Sequence, residues 1–162
     1  MSGKILDPSI LIIKNLNEDE QISVIRDIGR NKKSGFLPQL VDLLPDSSGG
    51  LREAIVDALS AFGGRTVVKH MVKLLWNDNC TARNDAIEII ENIGSAGMPV
   101  LIPLLSDPDE NIRKFVVDIL GNIADPEPVD ELIRLLQDPD VNVRAAAAES
   151  LGKIKDPRAV EH

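Results

Sequence analysis

Apolar residues recur along this chain with a helical beat, and the beat itself repeats. Aligning the segments that begin LLPDSSGG, LLWNDNCT, LLSDPDEN and LLQDPDVN places an arginine at positions 52, 83, 113 and 144, spaced 31, 30 and 31 residues apart. Relative to that arginine, apolar residues stand one position before it and three, seven and ten after it. They are Leu51, Ile55, Leu59 and Phe62, then Ala82, Ala86, Ile90 and Ile93. The third and fourth sets are Ile112, Val116, Leu120 and Ile123, then Val143, Ala147, Leu151 and Ile154. Steps of four, four and three put such a set on one face of a helix and on no single face of a strand. A second apolar cluster ends in Leu43-Leu44, Leu74-Leu75, Leu104-Leu105 and Leu135-Leu136 before a short polar turn. Each unit therefore reads as two helices joined by that turn. One period before Arg52 stands Gln21, in a segment with the same apolar spacing, which makes five units with an atypical first.

The polar positions keep the same register. Four residues before each arginine stand Ser48, Asn79, Asp109 and Asp140, with Asn17 before Gln21. All are residue types whose side-chain oxygen caps a helix N-terminus. Asn17 with Glu20 has the spacing of a capping box. Six residues before each arginine stand Asp46, Asn77, Asp107 and Asp138. Paired with Arg52, Arg83, Arg113 and Arg144, they predict a structural ladder linking each unit to itself and its neighbour. Exposed pairs of this kind contribute only about 0.2–1 kcal/mol each, so register is the expected role. Ala145–Ala148 supply the strongest helix former and small side chains that allow close helix approach.

A repeat of this length is the mark of a solenoid, in which a unit buries its apolar face by stacking on its neighbours. We divide residues 1–162 as one domain with units over about 5–33, 34–66, 67–96, 97–127 and 128–158, and the start of a further unit at 159–162. Ala159-Val160-Glu161-His162 aligns with Pro128-Val129-Asp130-Glu131, as expected of a stretch from a longer array. The apolar patch Ile10–Ile13 reads as part of the first helix, since Asp7 and Lys14 bracket it too closely for a signal segment or a membrane span.

Composition narrows the core and the partners. The 162 residues include one Trp, three Phe and no Tyr, so the core is aliphatic. A net charge of -8 repels phosphate backbones, which argues against nucleic acid as partner. A single Cys80 allows no internal disulfide and fits a cytoplasmic location.

The six-residue Asp-to-Arg spacing and the run DPDVNVRAAAAESLG (residues 138–152) resemble the HEAT-repeat superfamily, most closely the short HEAT-like repeats named after phycobilisome bilin lyases. The resemblance covers nearly the whole chain. It implies an all-α, right-handed solenoid of about five helical hairpins, with the second helices lining the concave side. It also implies a non-enzymatic, protein-binding scaffold without a cofactor. The alternative it carries is a subunit of a bilin lyase or chromophore-handling system acting on phycobiliproteins. Gln21 in place of the ladder arginine and Asn77 in place of aspartate depart from the pattern.

On that concave side, the positions one and five after the ladder residue project from the second helices. The latter read Arg26, Asp57, Glu88, Asp118 and Glu149, four acids in succession where composition yields acid at about one position in six. Glu53, Asn84 and Glu91 lie on the same stripes. Two readings stand: a groove for a basic peptide or helix, or a solvated face of an acidic protein. Trp76, at a turn where its sisters are Pro45, Ser106 and Gln137, reads equally as a contact point or as local packing over the turn. An apolar face left open at the C-terminal unit predicts self-association there.

Catalytic or metal chemistry finds no motif. His70 and His162 lack partners at metal spacing, Cys80 lacks a nearby histidine, and the Gly pairs at 49–50 and 63–64 lack the lysine of a phosphate loop. A membrane partner finds no support either.

Overall fold

The computed structural model describes residue 13 and residues 15–159. Most of the expected first helix within residues 1–16, and the start of a sixth unit at 160–162, lie outside the described residues. Unit 1 contributes α1 (Glu18–Arg30). Unit 2 contributes α2 (Leu37–Leu43) and α3 (Gly49–Phe62), and unit 3 contributes α4 (Gly64–Met71), which begins ahead of the boundary expected near residue 67, and α5 (Cys80–Ile93). Unit 4 contributes α6 (Met98–Leu101) and α7 (Glu110–Ile123), and unit 5 contributes α8 (Val129–Leu135) and α9 (Val141–Ile154). The result is an all-α solenoid of helical hairpins, with the second helices α1, α3, α5, α7 and α9 side by side in one layer.

The second helices run 13 or 14 residues because the four-four-three pattern gives each a continuous apolar face. Ile55, Leu59, Ala86, Ile90, Val116, Leu120 and Ala147 are fully buried on it. First helices are shorter and tighten into 3₁₀ turns at Leu44–Asp46, Val72–Trp76 and Ile102–Ser106. Pro45 and Pro103 lack the N–H that would continue the α ladder there. No proline accounts for the turn after α4. Although Cys80–Ser106 is apolar for its length, it is not one rod: the backbone turns at Gly94, where φ is 68°.

Side chains of Asn17, Asn79, Asp109 and Asp140 accept backbone N–H groups at the helix starts, and Asn17 with Glu20 closes the capping box. Ser48 makes no such bond. The turn in unit 2 is held differently: Ser47 is buried and donates its Oγ–H to the Leu44 carbonyl at 2.7 Å.

The ladder also differs from its expected form. Each arginine secures its own turn through a backbone carbonyl, not a carboxylate. Arg83 donates to Asn77 O at 3.0 Å, Arg113 to Asp107 O at 2.9 Å and Arg144 to Asp138 O at 2.8 Å. Arg52 reaches Ser47 O, because the inward turn of Ser47 leaves Asp46 exposed. The carboxylate of Asp107 accepts the N–H of Asp109 at 2.9 Å.

Between units, each rung has its own chemistry, decided by the residue two positions after the next arginine. Arg52 meets Asp85 at 3.5 Å, and Arg83 stacks 5.2 Å from the Phe115 ring centroid. Where that position is Ala146, Arg113 instead takes the Asp138 carboxylate with both Nε (2.9 Å) and Nη2 (2.8 Å). This rung is bidentate.

Spacing between second helices is uneven. A Cβ at Gly29 would lie 2.7 Å from Ala58 Cα, and one at Gly121 would lie 2.6 Å from Ser150 Cβ. Thus α1 with α3, and α7 with α9, approach closely. At the corresponding register around α5 stand Ser60 and Ile89, and Glu91 and Ile119, larger pairs than Gly29–Ala58 or Gly121–Ser150, and α5 packs less closely on α3 and α7. The close approach follows glycines rather than the alanine run, of which Ala146 and Ala147 are buried and Ala145 and Ala148 exposed.

Candidate partner-binding face

The acidic positions of the second-helix layer divide into two groups. Glu53 and Asp57 on α3 and Glu88 on α5 are exposed and make no ion pair among the described residues; Asn84 is exposed beside them. Asp118 and Glu149, at the same register on α7 and α9, are each held by a lysine one turn away. Lys114 meets Asp118 at 2.7 Å, and Lys153 meets Glu149 at 2.8 Å. The Lys153 ammonium holds the Glu149 carboxyl below its usual range. Half-buried Glu91 accepts a bond from the Asn122 amide at 2.7 Å, and Lys153 donates to the other end of that amide at 3.0 Å. Asn92 donates to Ser60 Oγ at 3.4 Å.

Cations bound the free acids on both sides. A groove of about 260 Å³ between α1 and α3 is lined by Arg26, Arg30 and Asp57, while Lys114 and Lys153 stand on the far side of α5. The stripe is therefore not uniformly acidic. Its unpaired charge is concentrated on units 2 and 3. The i,i+4 spacings of Lys114 with Asp118 and Glu149 with Lys153 were readable in the sequence, whereas the tie between Glu91 and Asn122, 31 residues apart, depends on the stacking.

Trp76 lies off this face, on the turn between α4 and α5, with 48% of its surface exposed. It rims a cleft of about 300 Å³ together with Asp78, Arg83, Asp109, Asn111 and Phe115. Among the described residues, no group of three His, Cys, Asp or Glu is placed to hold a metal ion.

Comparison with known families decides the lineage of this architecture. The family described as HEAT repeats matches residues 7–91 and 98–162. The chain belongs to the HEAT-repeat family. No curated protein sequence matches it. Among solved structures, this HEAT array is similar to an engineered protein at 22% identity, over 92% of this chain and 80% of that one, with a TM-score of 0.41. It is also similar to a designed armadillo repeat protein in complex with the peptide (KR)4, at 21% identity, over 91% and 80% of the two chains, with a TM-score of 0.42.

Proposed function

We propose that this HEAT array is a non-catalytic, protein-binding scaffold whose second-helix layer receives a basic peptide or helix over units 2 and 3. The observation that carries the reading is the exposure of Glu53, Asp57 and Glu88 without an ion pair among the described residues, on a layer where Asp118 and Glu149 are each paired with a lysine. A like-signed patch of unpaired carboxylates raises the encounter rate of a cationic partner. Arg26 and Arg30 on one side, and Lys114 and Lys153 on the other, discourage a segment that is basic along its whole length. The preferred partner carries its positive charge in the middle.

Neighbouring second helices lie about 8–10 Å apart when packed directly. Two basic side chains two turns apart on a helix, or three residues apart in an extended segment, span a similar distance. They would address Asp57 and Glu88 together.

The test is a fluorescence-anisotropy titration with a labelled peptide carrying two Lys-Arg pairs between uncharged ends, comparing wild type with Asp57→Lys/Glu88→Lys and with Asp118→Lys/Glu149→Lys. The first double variant is expected to bind about tenfold more weakly, from losing two exposed pairs and adding repulsion. The second should change affinity less, because its acids are already paired. Equal effects of the two variants, or binding indifferent to salt, would count against the reading.

A further inference from the structure

One line on the first-helix side of the array changes character in unit 3. The positions 18, 14, 10 and 7 residues before the ladder arginine are Ser34, Pro38, Asp42 and Pro45 in unit 2, Ser95, Pro99, Pro103 and Ser106 in unit 4, and Pro126, Asp130, Arg134 and Gln137 in unit 5. Of these only Pro45 is half-buried, and the rest are exposed. So mixed a set shows that folding asks little of a side chain on this line. In unit 3 the same positions read Arg65, Lys69, Lys73 and Trp76, all exposed. Trp76 is the one tryptophan of the chain.

Helix geometry joins these four into one strip. Arg65 and Lys69 stand one turn apart on α4, and Lys73 follows at the next turn. There the chain tightens into the 3₁₀ helix Val72–Trp76, in which residues three apart eclipse, so Lys73 and Trp76 share a side. None of the three cations makes an ion pair or hydrogen bond among the described residues. Helix stability does not account for the set: Lys69, in the last turn of α4, suits the helix dipole, but Arg65 stands in the first turn, where positive charge is disfavoured. At its Trp76 end the strip meets the cleft of about 300 Å³, whose apolar lining includes Leu75, Ile112 and Phe115 and whose polar lining includes Asp78 and Asp109. Arg83, also in the cleft, is engaged by the Asn77 carbonyl and the Phe115 ring.

We infer that this strip binds an extended acidic peptide segment, with carboxylates on alternate residues over Arg65, Lys69 and Lys73 and an apolar side chain entering the cleft beside Trp76. Charge complementarity selects the acids, and spacing sets their interval. Side chains one turn apart on a helix stand about 5–6 Å from one another, close to the roughly 6.6–6.8 Å between alternate residues of an extended chain. The cleft selects the apolar residue: Asp78 and Asp109 repel a fourth carboxylate, while Trp76, 48% exposed, offers the residue type most enriched at binding hot spots. A broad anionic surface, such as a membrane or a nucleic-acid duplex, fits less well, because it would also meet Asp42 and Asp130 at the same register and a chain of net charge -8. The strip shares no residue with Glu53, Asp57 and Glu88 and works independently of the second-helix layer.

The strip is tested by titrating the intact chain into a labelled peptide, Gly-Glu-Ser-Glu-Ser-Glu-Ser-Phe-Gly, at low salt and following anisotropy. Three variants are compared with wild type: Arg65→Gln/Lys69→Gln/Lys73→Gln, Trp76→Gln, and Lys32→Gln/Arg134→Gln/Lys155→Gln, which removes equal charge elsewhere. The first is expected to bind about tenfold more weakly, from the loss of three exposed pairs, and the second about fivefold. The third should stay within about twofold of wild type, since screening limits what distant charges contribute. Replacing the peptide's Phe by Ser should remove the effect of Trp76→Gln, which ties that residue to the apolar side chain. Melting temperatures should stay level, because sister units fold with other residues on this line, so lost binding is not lost folding. No binding by wild type, or equal loss in the first and third variants, overturns the inference. Phosphatidylserine vesicles bound in preference to the peptide, with the same dependence on Arg65, Lys69 and Lys73, overturn it in favour of a membrane. Sedimentation of wild type as a dimer that the first variant dissociates overturns it in favour of a second copy.

Discussion

At the scale of single residues, two positions show how local chemistry sets stability. Units 2 and 3 end their second helices at Gly63 and Gly94, with φ of 66° and 68°, but unit 4 places Ala124 at φ 56°. A Cβ in the left-handed region costs on the order of 1 kcal/mol. Ala124→Gly is therefore expected to stabilise the chain by up to about 1 kcal/mol in urea denaturation; a loss of stability would contradict the assignment of strain. The second position is Asp138. The hydrogen-bonded Arg113 guanidinium holds its carboxyl below the usual aspartate range despite burial. With the folded pKa depressed, its stabilisation is present above about pH 4 and is lost as pH falls through the folded value. Asp85 runs the other way. Burial pushes its carboxyl up, against the pull of Arg52, so its protonation favours the fold and softens the acid loss. Asp138→Asn should give a shallower decline of stability below pH 4 than wild type, read by denaturation at stepped pH. An unchanged slope would remove the Arg113 rung from the acid response.

At the scale of elements, helix approach is set by which residue faces which across a junction. Gly121→Ala drives a methyl to 2.9 Å from Ser150 Cα, so backbone must move, at a cost of about 1–3 kcal/mol. Gly152→Ala meets open space on the same helix register and should instead stabilise by about 0.5–1 kcal/mol through propensity. Equal effects of the two would show that the α7–α9 spacing is not what the glycine secures. The sequence made these elements legible because burial follows one period: the four-four-three face and four of the five caps formed where the pattern put them. What it did not disclose is the rung chemistry. Asp46, Asp107 and Asp138 share one alignment column, yet only Asp138 meets an arginine of the preceding unit. The choice depends on Asp85, Phe115 and Ala146 two residues past the next arginine, positions that appear unrelated until the units stack. The inward turn of Ser47 is likewise a local hydrogen-bond choice that a column of Asp and Asn conceals.

At the scale of the whole molecule, the net charge of -8 matters through its distribution. Counting residue types along the second helices gives four acids in a row; adding the lysines one turn away leaves the unpaired charge on α3 and α5. That is the central claim, and it is tested most directly by mapping backbone amide shifts by NMR while a peptide with two Lys-Arg pairs between uncharged ends is titrated in. The account expects the largest shifts on α3 and α5 around Glu53, Asp57 and Glu88, with α7 and α9 little changed. Shifts centred on Asp118 and Glu149, or spread evenly over every acidic position, would contradict it.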